Sequence, residues 1–263
     1  MVKPERTTEV WKTQHDFQVK ESLKFDFLYQ DWIYPWKFEN FRDKEVMDAG
    51  SGPGVHVRLI APYAKHLTAV DLEALSTTRE CTRDLSDKID YINADISAME
   101  LGRQFDAVLC AGTIHHTDDP DRTFRNLAKH VRPGGRLIIW TYAYEGNFLV
   151  RHLVEPLRKR FLARSSHKVL WLISLFLNAL LYLPIYTLYL LPLKMLPYYE
   201  YFGNARKMSF KRNALNIYDK LNAPQTHFIS QARIKSWFNA GDFTDVHISM
   251  YKGVSWRGSG TKK

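Results

Sequence analysis

The residues best suited to chemistry lie in one short segment, Val46-Met47-Asp48-Ala49-Gly50-Ser51-Gly52-Pro53-Gly54-Val55-His56. An apolar run ends at Asp48. Three glycines at alternate positions then let the backbone turn sharply and approach a ligand closely. The spacing is G-x-G-x-G, because position 55 is Val, and this departs from the G-x-G-x-x-G of a dinucleotide site. A pyrophosphate is therefore disfavoured. Acidic residues follow at the distances a nucleoside would need. Asp71 closes the next apolar run, 19 residues after Gly52, where a carboxylate can accept hydrogen bonds from two ribose hydroxyls. Asp95, with Ile96 beside it, follows the third run and offers a carboxylate and an apolar face to an adenine. Any one of these acids could be a surface cap; three of them each closing a strand are harder to ascribe to chance.

Such a set needs a scaffold that brings strand ends together. Short apolar runs at Glu45–Asp48, Leu67–Val70, Ile89–Asn93, Phe105–Cys110 and Arg136–Tyr142 alternate with helix-length segments at Val55–Ala64, Leu75–Ser86 and Asp121–His130. That rhythm predicts a parallel α/β sheet, with Pro133-Gly134-Gly135 as a tight turn before the fifth strand. Later in the chain, Ser230–Ala240 reads as a helix capped by Ser230, and Thr244–Tyr251 and Val254–Arg257 as strands. Gly258–Lys263 reads as a frayed tail. An aromatic block, Phe25–Phe41, precedes the first strand.

These motifs together resemble the class I S-adenosylmethionine-dependent methyltransferases, in their type 11 small-molecule group. The matching segments are D-A-G-S-G-P-G at Asp48–Gly54, V-D at Val70–Asp71, A-D-I at Ala94–Ile96, F-D-A-V from Phe105, I-H-H-T-D-D-P from Ile114 and R-P-G-G-R-L-I-I from Arg132. The likeness is strong over about residues 45–144 and returns more weakly over His227–Gly258, where Asp242 is an extra residue before Phe243. It implies a Rossmann-like α/β fold, a seven-stranded, mostly parallel sheet with helices on both faces. It also implies S-adenosyl-L-methionine as cofactor. Asp48, Gly50, Ser51, Gly52 and Gly54 would lie around its methionine end, Asp71 and Leu72 at the ribose, and Asp95 and Ile96 at the adenine. Ala111 would offer backbone on the sulfonium side. The aromatic block resembles an N-terminal lid, with Gln30 and Trp32 toward the cofactor.

Methyl transfer is an in-line displacement from a cationic sulfur, so the enzyme chiefly aligns the reactants and excludes water. An oxygen nucleophile must also lose a proton, which histidine suits near neutral pH. His115 and His116, just past the fourth strand, are the candidate catalytic residues; the plainer reading is that one of them only shapes the pocket. Asp118 and Asp119 stand beside them, but acidic residues before Pro120 are ordinary turn residues, and no metal is expected. Tyr218, Asp219 and His227 are candidates for the border of an acceptor pocket.

Composition places this core in a larger frame. The chain is 45% hydrophobic, enough for a real core, and its two cysteines, Cys81 and Cys110, exclude a disulfide scaffold and favour a reducing compartment. Met1–Lys12 lacks the apolar core of a secretory signal. The net charge of +9 is unevenly held: residues 1–144 carry 19 basic and 22 acidic side chains, and residues 145–263 carry 18 and 6. The excess surrounds Val169–Leu193, which has no charged residue, with Arg151, Arg158, Lys159, Arg160, Arg164 and Lys168 before it and Lys194 and Arg206–Arg212 after it.

A run of that length could span a bilayer, but the segments on either side supply strands of one sheet, and Pro184 and Pro192 interrupt it. Two readings stand, a helix resting on an anionic leaflet and a lid buried against the domain or a partner subunit. The expected organisation is a lid at 1–44, a cofactor-binding core at 45–145 and 226–258, and a basic, apolar helical insertion at 146–225. The expected activity is methyl transfer to a small or lipid-linked, lipophilic acceptor, more often at oxygen. The expected place is the cytoplasm, peripheral to a membrane through 148–212. The rival is a cofactor-binding, catalytically silent membrane adaptor. Nucleic acid is not expected as a partner, because the basic residues surround an apolar run and do not alternate with stacking aromatics.

Overall fold

The computed structural model describes residues 22–162 and 165–263. The Met1–Lys12 stretch, the first half of the expected N-terminal lid and Arg164 lie outside the described residues.

Seven strands form one sheet in the order β3-β2-β1-β4-β5-β7-β6. They are β1 (Glu45–Ala49), β2 (His66–Asp71), β3 (Ile89–Asn93), β4 (Phe105–Ala111), β5 (Val131–Tyr142), β6 (Phe243–Tyr251) and β7 (Ser255–Lys262). β7 alone runs antiparallel to its neighbours β5 and β6. Central strands of a parallel sheet are covered on both faces and so read as continuous apolar runs; β1 and β4 are buried along almost their whole length.

Eight helices matter here: α1 (Asp26–Trp32), α2 (Val55–Ile60), α3 (Leu75–Cys81), α4 (Pro120–Lys129), α5 (His167–Ile185), α6 (Tyr199–Ala205), α7 (Phe210–Asn222) and α8 (Gln231–Trp237). One face of the sheet buries Phe124 and Leu127 of α4 with Ile234 and Trp237 of α8. The other buries Val57 and Ile60 of α2. Asp119 caps α4 by accepting from the backbone amides of Asp121 and Arg122, with Pro120 in the first turn. Ser230 caps α8 through the Arg233 amide, as expected.

Two expectations need correction. Pro133-Gly134-Gly135 is not a turn preceding β5 but an excursion inside it, since Phe105 pairs with Val131 and Ala107 resumes with Arg136. Gly258–Lys263 is not frayed. It is the second half of β7, paired with β5 on one side and β6 on the other. Its small residues, which look like a linker in isolation, make room for α8: a Cβ on Gly258 would stand 2.7 Å from Phe238 and 2.9 Å from Ile234.

Between β5 and α8 the chain makes a long excursion. Val150–Val154 and Arg158–Leu162 wind as wide helical turns on either side of an α-helical turn at Glu155–Leu157, tied down by buried Arg158, whose guanidinium pairs with Glu155 at 2.7 Å and donates to the Ala223 and Pro224 carbonyls at the end of α7. α5 then packs along α7, and Arg206 caps the far end of α5 by donating to the Ile185 and Tyr189 carbonyls.

Gly258→Val should cost about 1–3 kcal/mol of stability by overpacking β7 against Phe238 and Ile234. Chemical denaturation of the two proteins checks this; equal midpoints would mean that β7 does not bear on α8 as described.

Candidate active site

The carboxyl edge of β1 carries the glycine loop, and local bonds hold it open. Gly50 and Ser51 donate to the Val70 carbonyl at 2.8 and 3.0 Å, and Gly52 donates to Asp71 Oδ2 at 2.9 Å. The Thr113 hydroxyl donates to the Gly50 carbonyl at 3.0 Å and the Thr78 hydroxyl to the Gly52 carbonyl at 2.7 Å. Gly50 has φ +79°, and a Cβ there would lie 2.4 Å from Thr113, so only glycine fits both the turn and the contact. Asp71 does more than end a strand. Its other oxygen accepts from the amides of Glu73 and Ala74, so one carboxylate braces the loop and the start of α3.

Above this edge lies a cavity of about 590 Å³. Asp48, Gly50, Ser51, Gly52, Ala111, Gly112 and Thr113 line one end. Trp32, His56, His116, Trp140 and Tyr142 form its middle. The other end is walled by the insertion: Leu177, Leu180 and Leu181 of α5, Tyr201 and Phe202 of α6, and Asn216 and Lys220 of α7. The cofactor edge and the insertion therefore enclose one continuous space.

Burial sets the charge states here. Asp48 is fully enclosed, and desolvation, with the Asp71 carboxylate adding to it, raises its pKa to about 7. Its Oδ2 has no hydrogen-bond partner among the described residues. Burial lowers His56 to about 4, partly opposed by its bond to the Tyr29 carbonyl. It also lowers His116 to about 4, opposed by a 2.7 Å contact from Nδ1 to the Gln225 carbonyl. That contact assigns the proton of the neutral ring to Nδ1 and the lone pair to Nε2. Lys220 is pushed upward despite its burial, because the Tyr201 and Tyr142 phenols favour its charged form.

The expected site residues separate into groups. Asp48, Gly50, Ser51, Gly52, Ala111 and His116 all border the cavity. Gly54 opens α2 in the left-handed region behind the loop. Asp71 ends β2, and Leu72, Asp95 and Ile96 follow β2 and β3 along the same carboxyl edge, outside the enclosed part of the cavity. His115 departs from expectation: its ring is fully buried behind His116 and Tyr142, at 4.2 Å from each, and does not reach the cavity. Both its nitrogens lack partners among the described residues, and burial holds it well below the usual histidine range, so it is a neutral packing group.

Gln30 is likewise turned away, bonding the Trp36 carbonyl and the Phe38 amide, whereas Trp32 stacks on Trp140 at 4.2 Å beside the cavity. Asp219 lines the cavity. Tyr218 faces the opposite way and meets His167 Nδ1 at 2.6 Å. His227 gives only its amide, to the His115 carbonyl, while Thr226 and Phe228 line the wall. Sequence reasoning missed Lys220, Tyr201 and Trp140. A polar row at Arg212, Asn216 and Lys220, four residues apart on a partly apolar helix, was the available signal for the first.

The sheet order and the glycine loop define a class I S-adenosylmethionine-dependent methyltransferase domain. Residues 47–139 match the family described as "Methyltransferase domain". A ubiquinone biosynthesis O-methyltransferase of Aromatoleum aromaticum is 32% identical over 136 residues, which is 50% of this chain and 56% of that protein. An uncharacterised protein of a Synechococcus species is 35% identical over 120 residues, 43% of this chain and 28% of its own length. The chain thus spans little more than half, or less, of these curated relatives. Among solved structures, an O-methyltransferase family protein from Burkholderia thailandensis aligns with 95% of this chain and 59% of its own, with TM-score 0.57 and 12% identity. That likeness concerns the fold. None of these comparisons supports a catalytically silent adaptor.

The residues present fit S-adenosylmethionine. An unpartnered, buried carboxylate oxygen of Asp48 faces a cavity end floored by glycine backbone, which suits an amino-acid ammonium. Affinity for S-adenosylhomocysteine should then rise with pH through about 7, as Asp48 ionises, by up to about tenfold per pH unit below that value. Calorimetric titration at several pH values reads this directly. Asp48→Asn should bind more weakly and lose the pH dependence, and an unchanged profile would remove Asp48 from the site.

Proposed function

We propose that this protein transfers a methyl group from S-adenosylmethionine to a hydroxyl oxygen of a lipophilic acceptor. The observation that carries the reading is the continuity of the cavity, which joins the glycine loop to a chamber walled by leucines and aromatic rings, with Lys220 among the polar side chains in its lining. When bound at the loop, the cofactor supplies an electrophilic methyl on a cationic sulfur. The 32% identity to a ubiquinone biosynthesis O-methyltransferase supports both the oxygen and the apolar acceptor.

The chain's own residues divide the remaining work. The apolar walls, Leu177, Leu181, Phe202 and Phe228, take up the acceptor's hydrocarbon and exclude water. Lys220 donates to the Tyr201 hydroxyl at 3.3 Å and lies 5.7 Å from the centre of the Tyr142 ring. A fixed cation in such a dry chamber stabilises an acceptor hydroxyl as its anion. His116, neutral and with its lone pair on Nε2, accepts a hydrogen bond from that hydroxyl and holds the oxygen in line. With a pKa near 4 it is a weak base, so Lys220 contributes by lowering the acceptor's own pKa, while the hydroxyl proton passes to His116 Nε2 as the oxygen–methyl bond forms and goes to water when the product leaves. Asp71, Leu72, Asp95 and Ile96 hold the nucleoside along the open edge in this reading.

Incubation with methyl-labelled cofactor and a total lipid extract should give organic-extractable label. Lys220→Met should lower that rate by about 100-fold, and His116→Gln by less, both with unchanged S-adenosylhomocysteine affinity. His115→Gln, away from the cavity, should act on stability alone. Label recovered only in aqueous or protein fractions would overturn the lipophilic acceptor.

A further inference from the structure

We propose that the outer face of α5, with the turn that follows it, docks in the plane of an anionic lipid bilayer. The acceptor then enters the cavity sideways from the lipid.

α5 is built inside out for a helix in water. Its inward positions, Leu170, Ser174, Asn178 and Ile185, include two polar residues, whose side chains are satisfied by the Leu170 and Phe210 carbonyls. Its outward stripe is Leu172, Phe176, Leu180 and Leu183, at spacings of four, four and three residues, with Phe176 63% and Leu183 73% exposed. The following turn adds Leu190, Leu191 and Met195, the last 89% exposed. A soluble monomer keeps such patches small, so the medium over this face must itself be apolar.

Charge decides which apolar medium. Residues 148–212 hold eleven Lys and Arg against two Asp and Glu. Arg158 and Arg212 are buried in the fold, but Lys159, Arg160, Lys168, Lys194, Lys207 and Lys211 are exposed. One of the two acids, Glu155, is taken up by Arg158. A second copy of the chain would bring the same positive rim against this one, and like charges would oppose the contact. An anionic leaflet complements it, at about 1 kcal/mol for each lysine or arginine near the surface. The helix lies on the bilayer and does not cross it. One face of α5 is packed against α7, and the chain on both sides returns to one sheet.

The docking face and the cavity share a wall. Leu180 is 57% exposed and also lines the cavity, with Leu177 and Leu181 beside it, so the lipid side and the acceptor chamber are separated by the thickness of α5 side chains. This route of entry rests on the methyltransferase reading above; the docking itself does not.

Flotation of the full chain with two kinds of vesicle tests the proposal, pure phosphatidylcholine and phosphatidylcholine containing about one quarter phosphatidylglycerol. The protein should rise with the anionic vesicles, and less so in high salt or without phosphatidylglycerol. The triple variant Leu172→Ser, Phe176→Ser, Leu183→Ser, whose residues do not line the cavity, should lose about tenfold or more of that partitioning. It should keep wild-type affinity for S-adenosylhomocysteine, which shows that it is folded. Protein that remains soluble with both vesicles overturns docking, as does sedimentation showing a dimer that the triple variant abolishes. Vesicle binding without any cofactor binding would leave docking standing and overturn the methyltransferase reading.

Discussion

The insertion leaves and re-enters the sheet through a single clamp of backbone hydrogen bonds. Tyr142 accepts from the Ile229 amide at 2.9 Å, Ile229 accepts from the Tyr144 amide at 2.8 Å, and Ala143 donates to Val254 at 3.0 Å. Residues far apart in sequence are thereby fixed side by side at the carboxyl end of β5. Everything between them must arch over the edge where ligands bind in open α/β sheets. The clamp explains why α5, α6 and α7 wall the cavity above the glycine loop. The 25 uncharged residues lie within an arch whose two feet, at Tyr142–Tyr144 and Ile229, meet at one strand end.

An arch of this kind dries the edge beneath it, and that has electrostatic consequences. Asp48, His56 and His116 share one apolar space, and desolvation is the largest influence on each. It acts in opposite senses on acids and bases, yet always toward the neutral form. Lys220 is the exception because two phenols face it. The cavity therefore holds neutral imidazoles at His56 and His116, a carboxyl at Asp48 that ionises near neutrality, and the basic side chains of Lys220, Arg212 and Lys252. A cationic cofactor at the Asp48 end and an anionic acceptor at the Lys220 end would each find the complementary charge, with the apolar middle between them.

Much of this was legible in the sequence where the cause is local. The central strands β1 and β4 announce themselves because a buried parallel strand must be apolar almost throughout, and the glycine loop because few other residues can adopt its turns. The second half of β7 reads as a tail for the opposite reason, although Val254–Arg257 reads as a strand. Arg257-Gly258-Ser259-Gly260-Thr261-Lys262 has no apolar pattern, and its glycines serve Phe238 and Ile234 on a helix some twenty residues earlier. His115 and His116 are neighbours in sequence, and nothing local separates the buried ring from the one at the cavity. Lys220 is ordinary on a helix surface and becomes distinctive only when α5 and α6 close over it.

The insertion also shows how composition can mislead when its arrangement is unknown. A net charge of +9 suggests nucleic acid, yet two of the arginines that contribute are consumed inside the fold, Arg158 by Glu155 and Arg212 by the Ser22 hydroxyl. What remains outside rings an apolar stripe. Base stacking needs exposed aromatic rings spaced along a basic groove, whereas this surface offers leucines along one helix, with cations at its ends. Hydrocarbon outward and charge at the rim is the pattern of a helix lying at a lipid interface. The same helix walls the cavity, so on the proposed reading a substrate dissolved in lipid would reach the glycine loop without its hydrocarbon crossing water.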